Sequence, residues 1–262
     1  MNFVSINGTV YEQDATISVF DAGFYFGFSV YDTMLVLQQK PVFYQDHLER
    51  LQNALKYFEF PVKSNWQVSL KKNIESFLTR SNPQFHYRLR ILITPGKLSL
   101  SSDRIEEMNT VLFLSKIEKQ KETFSFFVDE IRKNADSTLP AFVKITSANK
   151  NLLSALRAKR YGADESLLLN QKGYITEGSF SNVFWIKNGI LFTPAVENNL
   201  LAGITRSKIL ECAQRLKMPV QEGNFKLNEI LKAEECFLSS STRGPAFVSM
   251  IRDKEKILAR FD

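Results

Sequence analysis

The sequence of 262 residues predicts an α+β fold, and three observations carry that reading. Strand-like runs are joined by hairpin signals: Asn7-Gly8, Asn188-Gly189 and the turn-like Asn170-Gln171-Lys172-Gly173. Two amphipathic helices follow one another with no strand between them. Elsewhere strands and helices alternate irregularly, which argues against a doubly wound parallel sheet.

Taken in order, "VSINGTVY" is a short hairpin, and a strand follows it. "DHLERLQNALKYF" (46–58) is a helix, with Leu48, Leu51, Leu55 and Phe58 at spacings of three and four. "SNWQVSLKKNIESFLTR" (64–80) is a second helix that Ser64 caps. "YRLRILIT" (87–94) and "NTVLFLSKI" (109–117) are strands. The polar run that ends at Glu122 is a linker over 117–122, dividing a smaller part, 1–116, from a larger one, 123–262. Beyond it come strands "FSFFVDE" and "AFVKIT", then a helix "NLLSALRAKRYG" closing at Gly162. The hairpins "SLLLN"/"GYITE" and "NVFWI"/"ILFTP" follow. A helix "TRSKILECAQRLK" (205–217), a strand "ECFLSSS" and a short tail complete the chain. No repeat or low-complexity segment interrupts it.

Composition narrows the function classes. Hydrophobic residues at 44% and charged residues at 24% are ordinary for a soluble globular protein with an ample core. No apolar run approaches the roughly 18 residues of a membrane span. The start "MNFVSINGTVYEQD" has no basic region followed by an apolar stretch, so a cytoplasmic location is expected. Cys212 and Cys236 read as free, buried thiols in a reducing compartment. With His47 and His86 the only histidines, no metal site is expected. The net charge of +6 raises a nucleic-acid reading, but acids interrupt the lysines, as in "KIEKQKE" (116–122), and no basic stripe carries interleaved aromatics. A mild positive field suits a small anionic substrate equally well.

Candidate chemistry gathers at element ends. Glu177 stands at a strand end, followed by the small residues of "GSFS", which let a backbone approach a ligand closely. Lys144 ends the apolar run "AFVKIT", and an amine in apolar surroundings is a nucleophile for aldehydes. "LLAGITRS" puts Gly203, Ile204 and Thr205 at a helix start, where free N–H groups favour an anion. "FLSSSTRG" offers Ser239, Ser240, Ser241 and Thr242 at a strand end. His47 and Arg50 share a helix face, and Arg50 suits a phosphate. Taken singly, each has an ordinary structural reading as a solvated charge, a turn or a surface ion pair. Together they fit a phosphate ester bearing an aldehyde and a basic ring, which describes pyridoxal 5'-phosphate.

The blocks "GADESLLLNQKGYITEGSFSNVFWI", "ILFTPAVENNLLAGITRSKIL" and "DAGFYFGFSVYDTMLV" with "DHLERL" carry a resemblance over nearly the whole chain. The chain resembles the fold-type IV pyridoxal-phosphate enzymes. That superfamily holds branched-chain and D-amino-acid aminotransferases and 4-amino-4-deoxychorismate lyase. The resemblance implies a two-domain subunit with the cofactor between the domains, and a homodimer that completes each site at the subunit interface. It makes Lys144, 33 positions before Glu177, the lysine that carries the cofactor, and Glu177 the partner of its ring nitrogen. Arg50, Ile204, Thr205 and Ser241 match the phosphate-binding positions.

Within the superfamily the chain is most like the lyase, which forms p-aminobenzoate and pyruvate in folate biosynthesis. Branched-chain aminotransferases run longer. Thr33 in "SVYDT" stands where lyases carry a threonine thought to assist proton transfer, and Arg243-Gly244 resembles the lyase-type ending. The Thr-Arg-Gly turn of D-amino-acid aminotransferases reads Thr94-Pro95-Gly96 here, and their Arg-x-His trap is absent. Tyr31, Arg90 and Arg243 are the candidate substrate contacts, with Lys97 a further cation. Two departures stand against these likenesses. Gly27-Phe28-Ser29 replaces the usual Gly-Asp-Gly, and Ser240 stands where lyases often have Asn. An aminotransferase acting on branched-chain or other amino acids is the alternative implied.

Overall fold

Period-two alternation and helical stripes build the chain into two units. The computed structural model describes residues 2–12, 14–98, 105, 107–118, 121–134 and 139–261. One unit comprises residues 1–119 with the strap 142–147; the other comprises 120–141 and 148–262. The expected linker includes residues 119 and 120, which lie outside the described residues.

The first unit contains β1 (Asn2–Ile6), β2 (Thr9–Tyr11), α1 (Ala22–Tyr25), β3 (Val30–Leu37), β4 (Lys40–Pro41), α2 (Tyr44–Tyr57), α3 (Trp66–Leu78), β5 (Tyr87–Thr94) and β6 (Asn109–Lys116). Its sheet runs β2-β1-β6-β5-β3-β4. Along β3, Val30, Asp32, Met34 and Val36 are buried and the residues between them are half-buried. Val30, Met34 and Val36 pack with Leu48, Leu51 and Leu55 of α2, Leu70 and Phe77 of α3, and Leu89 and Ile91 of β5. Each such side chain contributes about 1.5–3 kcal/mol on burial, against about 0–1 kcal/mol for a surface ion pair. The apolar stripe therefore docks the helices. Asn65, not Ser64, precedes α3, and it makes no side-chain cap bond.

The second unit contains β7 (Thr123–Lys133), α4 (Asn149–Arg160), β8 (Glu165–Asn170), β9 (Ile175–Gly178), β10 (Asn182–Lys187) and β11 (Ile190–Pro194). It continues with α5 (Ile204–Arg215), β12 (Val220–Gly223), α6 (Leu227–Ile230), β13 (Glu235–Ser240), β14 (Gly244–Arg252) and β15 (Ile257–Arg260). The sheet order is β12-β11-β10-β13-β14-β7-β8-β9, with β15 on β14. Asn188 and Gly189 have φ of 51° and 71°, as the hairpin signal requires.

Three expectations fail locally. "AFVKIT" is not a regular strand: Ile145 makes one isolated bridge to Val30, and α4 begins at Asn149, too soon for a ladder. The expected tail is two strands, β14 and β15; the Gly244-Pro245 start of β14 hid a strand that lies between β13 and β7. Cys212 is exposed rather than buried, because the core face of α5 passes through Ile209 and Ala213; Cys236 is buried, and both are free. No helix among the described residues is long and apolar enough to cross a membrane.

Candidate active site

In the first unit, the strap 142–147 lies along the start of β3. Tyr31 N donates to Lys144 O at 3.0 Å and Thr146 N to Ser29 O at 3.2 Å. Thr146 Oγ1 also donates to Gly27 O, at 3.0 Å. These bonds bring the Lys144 amine over the Tyr31 ring, 4.7 Å from its centroid. Tyr31 and Thr33 share the face of β3 opposite the core, and Thr33 is the register partner of Arg90 on β5. The Arg90 guanidinium stands 5.3 Å from the same Tyr31 ring, and its Nε lies 3.4 Å from Thr33 Oγ1. An amine, a phenol, a hydroxyl and a guanidinium thus share one surface. Arg88 and Arg90 are both exposed on that face.

Arg50 is buried on the other side of β3, held to Asp32 by Nε at 2.9 Å and Nη2 at 2.7 Å. His47 Nδ1 meets the same carboxylate at 2.8 Å. Burial alone would push the Asp32 carboxyl up; the Arg50 guanidinium and His47 outweigh it and hold that group well below the usual carboxylate range. The pair fixes one edge of the guanidinium. Asp32 escaped the sequence reading, although alternation with Val30, Met34 and Val36 marks it as a buried carboxylate in need of a partner.

In the second unit, Glu177 is buried at the end of β9. Its Oε1 accepts from Lys133 Nζ at 2.5 Å and its Oε2 from Leu201 N at 2.9 Å. Lys133 was also missed, since the strand reading stopped at Glu130 and β7 runs three residues farther. Lys150, the other lysine near Lys144 in sequence, is exposed on α4. Ile204 and Thr205 are the first two residues of α5, both buried. Gly203 precedes them, with no side-chain cap on the helix N–H groups. A Cβ on Gly203 would fall well inside the van der Waals contact distance of Asn182 Oδ1. Asn182 pairs with Ser239 across β10 and β13, so Ser239 shares the sheet face on which α5 begins. Ser239 Oγ is buried without a partner among the described residues. Ser241 lies in the turn after β13, and Arg243 closes that turn through its N–H to Ser240 O at 3.3 Å. The Arg243 Nη1 meets Glu165 Oε2 at 2.9 Å, and its guanidinium covers the Phe124 ring.

Residues 29–251 match the family model of amino-transferase class IV. The chain is a class IV aminotransferase family member. The class IV relatives include the branched-chain-amino-acid aminotransferase of Escherichia coli (strain K12), 26% identical over 257 residues, 92% of this chain and 82% of the relative. The aminodeoxychorismate lyase of Bacillus subtilis (strain 168) is 27% identical over 250 residues, 91% and 83% of the two chains. Among solved structures, a putative 4-amino-4-deoxychorismate lyase from Legionella pneumophila matches with a TM-score of 0.80 at 24% identity, over 96% of this chain and 91% of that one. A branched-chain aminotransferase from Escherichia coli matches with a TM-score of 0.83 at 24% identity, over 98% and 88%. These structural likenesses show the fold of a class IV enzyme, an α+β chain.

Class IV enzymes use pyridoxal 5'-phosphate, and this class IV chain has residues that suit it. An uncapped helix start and the partnerless Ser239 hydroxyl suit a phosphate, and the Glu177 carboxylate suits a ring N–H. The Lys144 amine suits an aldehyde.

Proposed function

We propose that this pyridoxal-phosphate enzyme is a lyase that converts 4-amino-4-deoxychorismate to p-aminobenzoate and pyruvate. One observation carries the choice: the Thr33 hydroxyl shares its strand face with Tyr31, whose ring faces the Lys144 amine at 4.7 Å. A proton donor beside the base is what departure of an enolpyruvyl group requires. Lys144 carries the cofactor, Glu177 meets its ring nitrogen, and Arg50, Ile204, Thr205 and Ser241 take its phosphate. Once bound, the cofactor supplies a sink for the electrons of a broken C–H bond.

Lys144 takes the proton from the ring carbon bearing the substrate amine. The C–O bond to the enolpyruvyl group breaks as the ring becomes aromatic. Thr33 helps return a proton to the methylene carbon of the departing fragment, which leaves as pyruvate. Tyr31 packs against the substrate ring, and Arg90 and Arg243 meet its two carboxylates. The chain acts as a homodimer in the cytoplasm, with the partner copy completing each site. Phe20, Phe24, Tyr25 and Phe26 are all half or more exposed, an apolar surface of the kind a second copy covers. A light-scattering mass of one chain would contradict the dimer.

Thr33→Val tests the proton-transfer role. Pyruvate release should fall by about 10²-fold or more, as for loss of a proton-transfer group, with cofactor affinity nearly unchanged. Equal losses in both would make Thr33 a binding residue. Aminotransferases also match this chain at similar identity, and the alternative is transamination of branched-chain or other amino acids.

A further inference from the structure

Glu165 is buried at the first position of β8. Its carboxylate accepts three hydrogen bonds from two separate turns. Oε1 accepts from Phe180 N at 2.7 Å and from Ser181 Oγ at 2.7 Å. Oε2 accepts from Arg243 Nη1 at 2.9 Å. The first turn follows Glu177 and runs 178–181; the second follows β13 and runs 240–243. They are neighbours because Asn182, just after the first, pairs with Ser239, just before the second. Gly178 leaves room for the carboxylate, since a Cβ there would lie 2.6 Å from Glu165 Oε1.

The remaining bonds hold the first turn down at Ser179. Ser179 N donates to Ser166 O at 3.0 Å, Ser179 Oγ accepts from Ser166 N at 3.1 Å, and Asn151 Nδ2 donates to Ser179 O at 2.9 Å. The second turn is tied to β8 through Arg243. A buried carboxylate between two turns costs desolvation that only its donors repay. Its position makes the second turn depend on the first.

We propose that Glu165 is a positioning residue that uses Arg243 to lock the turn 240–243 in register with the turn 178–181 that follows Glu177. The phosphate end of the cofactor is thereby set relative to its ring end. This rests on the pyridoxal-phosphate reading above, and it gives the Arg243 guanidinium a structural task alongside any contact with substrate.

Glu165→Gln isolates the link. The amide oxygen still accepts from Phe180 N and Ser181 Oγ, while its NH₂ group faces the Arg243 donor. Arg243→Met removes the same link from the partly exposed side, and Arg243→Lys restores a cation opposite Glu165. The measurement is equilibrium affinity of the cofactor-freed protein for pyridoxal 5'-phosphate and for pyridoxal, which lacks the phosphate. The preference for the phosphorylated ligand should fall about tenfold, the size of one charge-assisted contact, in Glu165→Gln and in Arg243→Met. It should fall no further in the double variant and recover in part in Arg243→Lys. General loosening of the fold would weaken both ligands together and leave the preference unchanged. A preference within about twofold of wild type in either single variant, or losses that multiply in the double, would overturn the inference. So would an Arg243→Met variant whose only defect is a raised substrate KM. Borohydride reduction of the wild-type holoenzyme, with peptide mapping, separates the two levels. Label on Lys144 with an unchanged preference in the variants removes this inference alone; no label on Lys144 removes both it and the cofactor reading.

Discussion

Asp32 shows how a single side chain conditions the rest of the first unit. It is buried, and Arg50 and His47 converge on it from α2, with the Thr33 N–H a third donor. Its folded pKa lies below the unfolded value of about 3.9. The stabilisation is therefore complete above the ordinary carboxylate range, and it is lost as pH falls below about 4 toward the lowered folded value. At pH 7, Asp32→Asn should cost about 3–5 kcal/mol, the cost of breaking a buried ion pair. The gap from wild type should narrow as pH falls below about 4, read by melting temperature against pH. A gap independent of pH would mean that the carboxylate contributes shape and not charge. Residues of this kind divide by how they can be read. Glu177 is legible as a carboxylate near a strand end, a local feature that β9 bears out, whereas the strand end expected at Lys144 is an irregular strap. Asp32 is legible in principle from alternation along β3. Lys133 and Glu165 are not, since each acts on residues 15 or more positions away through turns whose path no local pattern gives.

At the scale of elements, helix stripes and hairpin signals determined most of the chain, while the connections between elements did not follow from them. The "YRLRILIT" run is β5 with the expected bounds, and α2 and α5 lie within two residues of their expected spans. The strap 142–147 departs because its bonds are to the start of β3 and not to a neighbouring strand of its own, a long-range pairing that an apolar run does not reveal. The start of α5 is the most exacting junction. Gly203 has an extended backbone, φ −70° and ψ 138°, that any residue adopts, so its requirement is steric. A methyl group there meets Asn182, whose Nδ2 holds Leu201 O at 2.9 Å. Gly203→Ala should cost about 1–3 kcal/mol of stability by overpacking. It should also weaken pyridoxal 5'-phosphate more than pyridoxal, because the helix N–H groups move away from the phosphate. Equal affinities of Gly203→Ala and wild type for both ligands would mean that the α5 start does not bind the phosphate.

For the whole molecule, family membership and fold settle the cofactor and leave two reactions on one scaffold. They differ in what remains after turnover. A lyase returns its cofactor to the lysine in each cycle, whereas half of a transamination leaves the cofactor as an amine and stops without a keto acid. Thr33 and Arg90 beside Tyr31 and Lys144 favour the first. The direct test mixes the holoenzyme with 4-amino-4-deoxychorismate, and separately with single amino acids without a keto acid, while following the visible absorbance of the lysine-bound cofactor. Lyase chemistry predicts steady, equimolar release of pyruvate and p-aminobenzoate, with that absorbance retained throughout. Rapid and complete bleaching by a branched-chain amino acid, a D-amino acid or glutamate, with no pyruvate from aminodeoxychorismate, would contradict it.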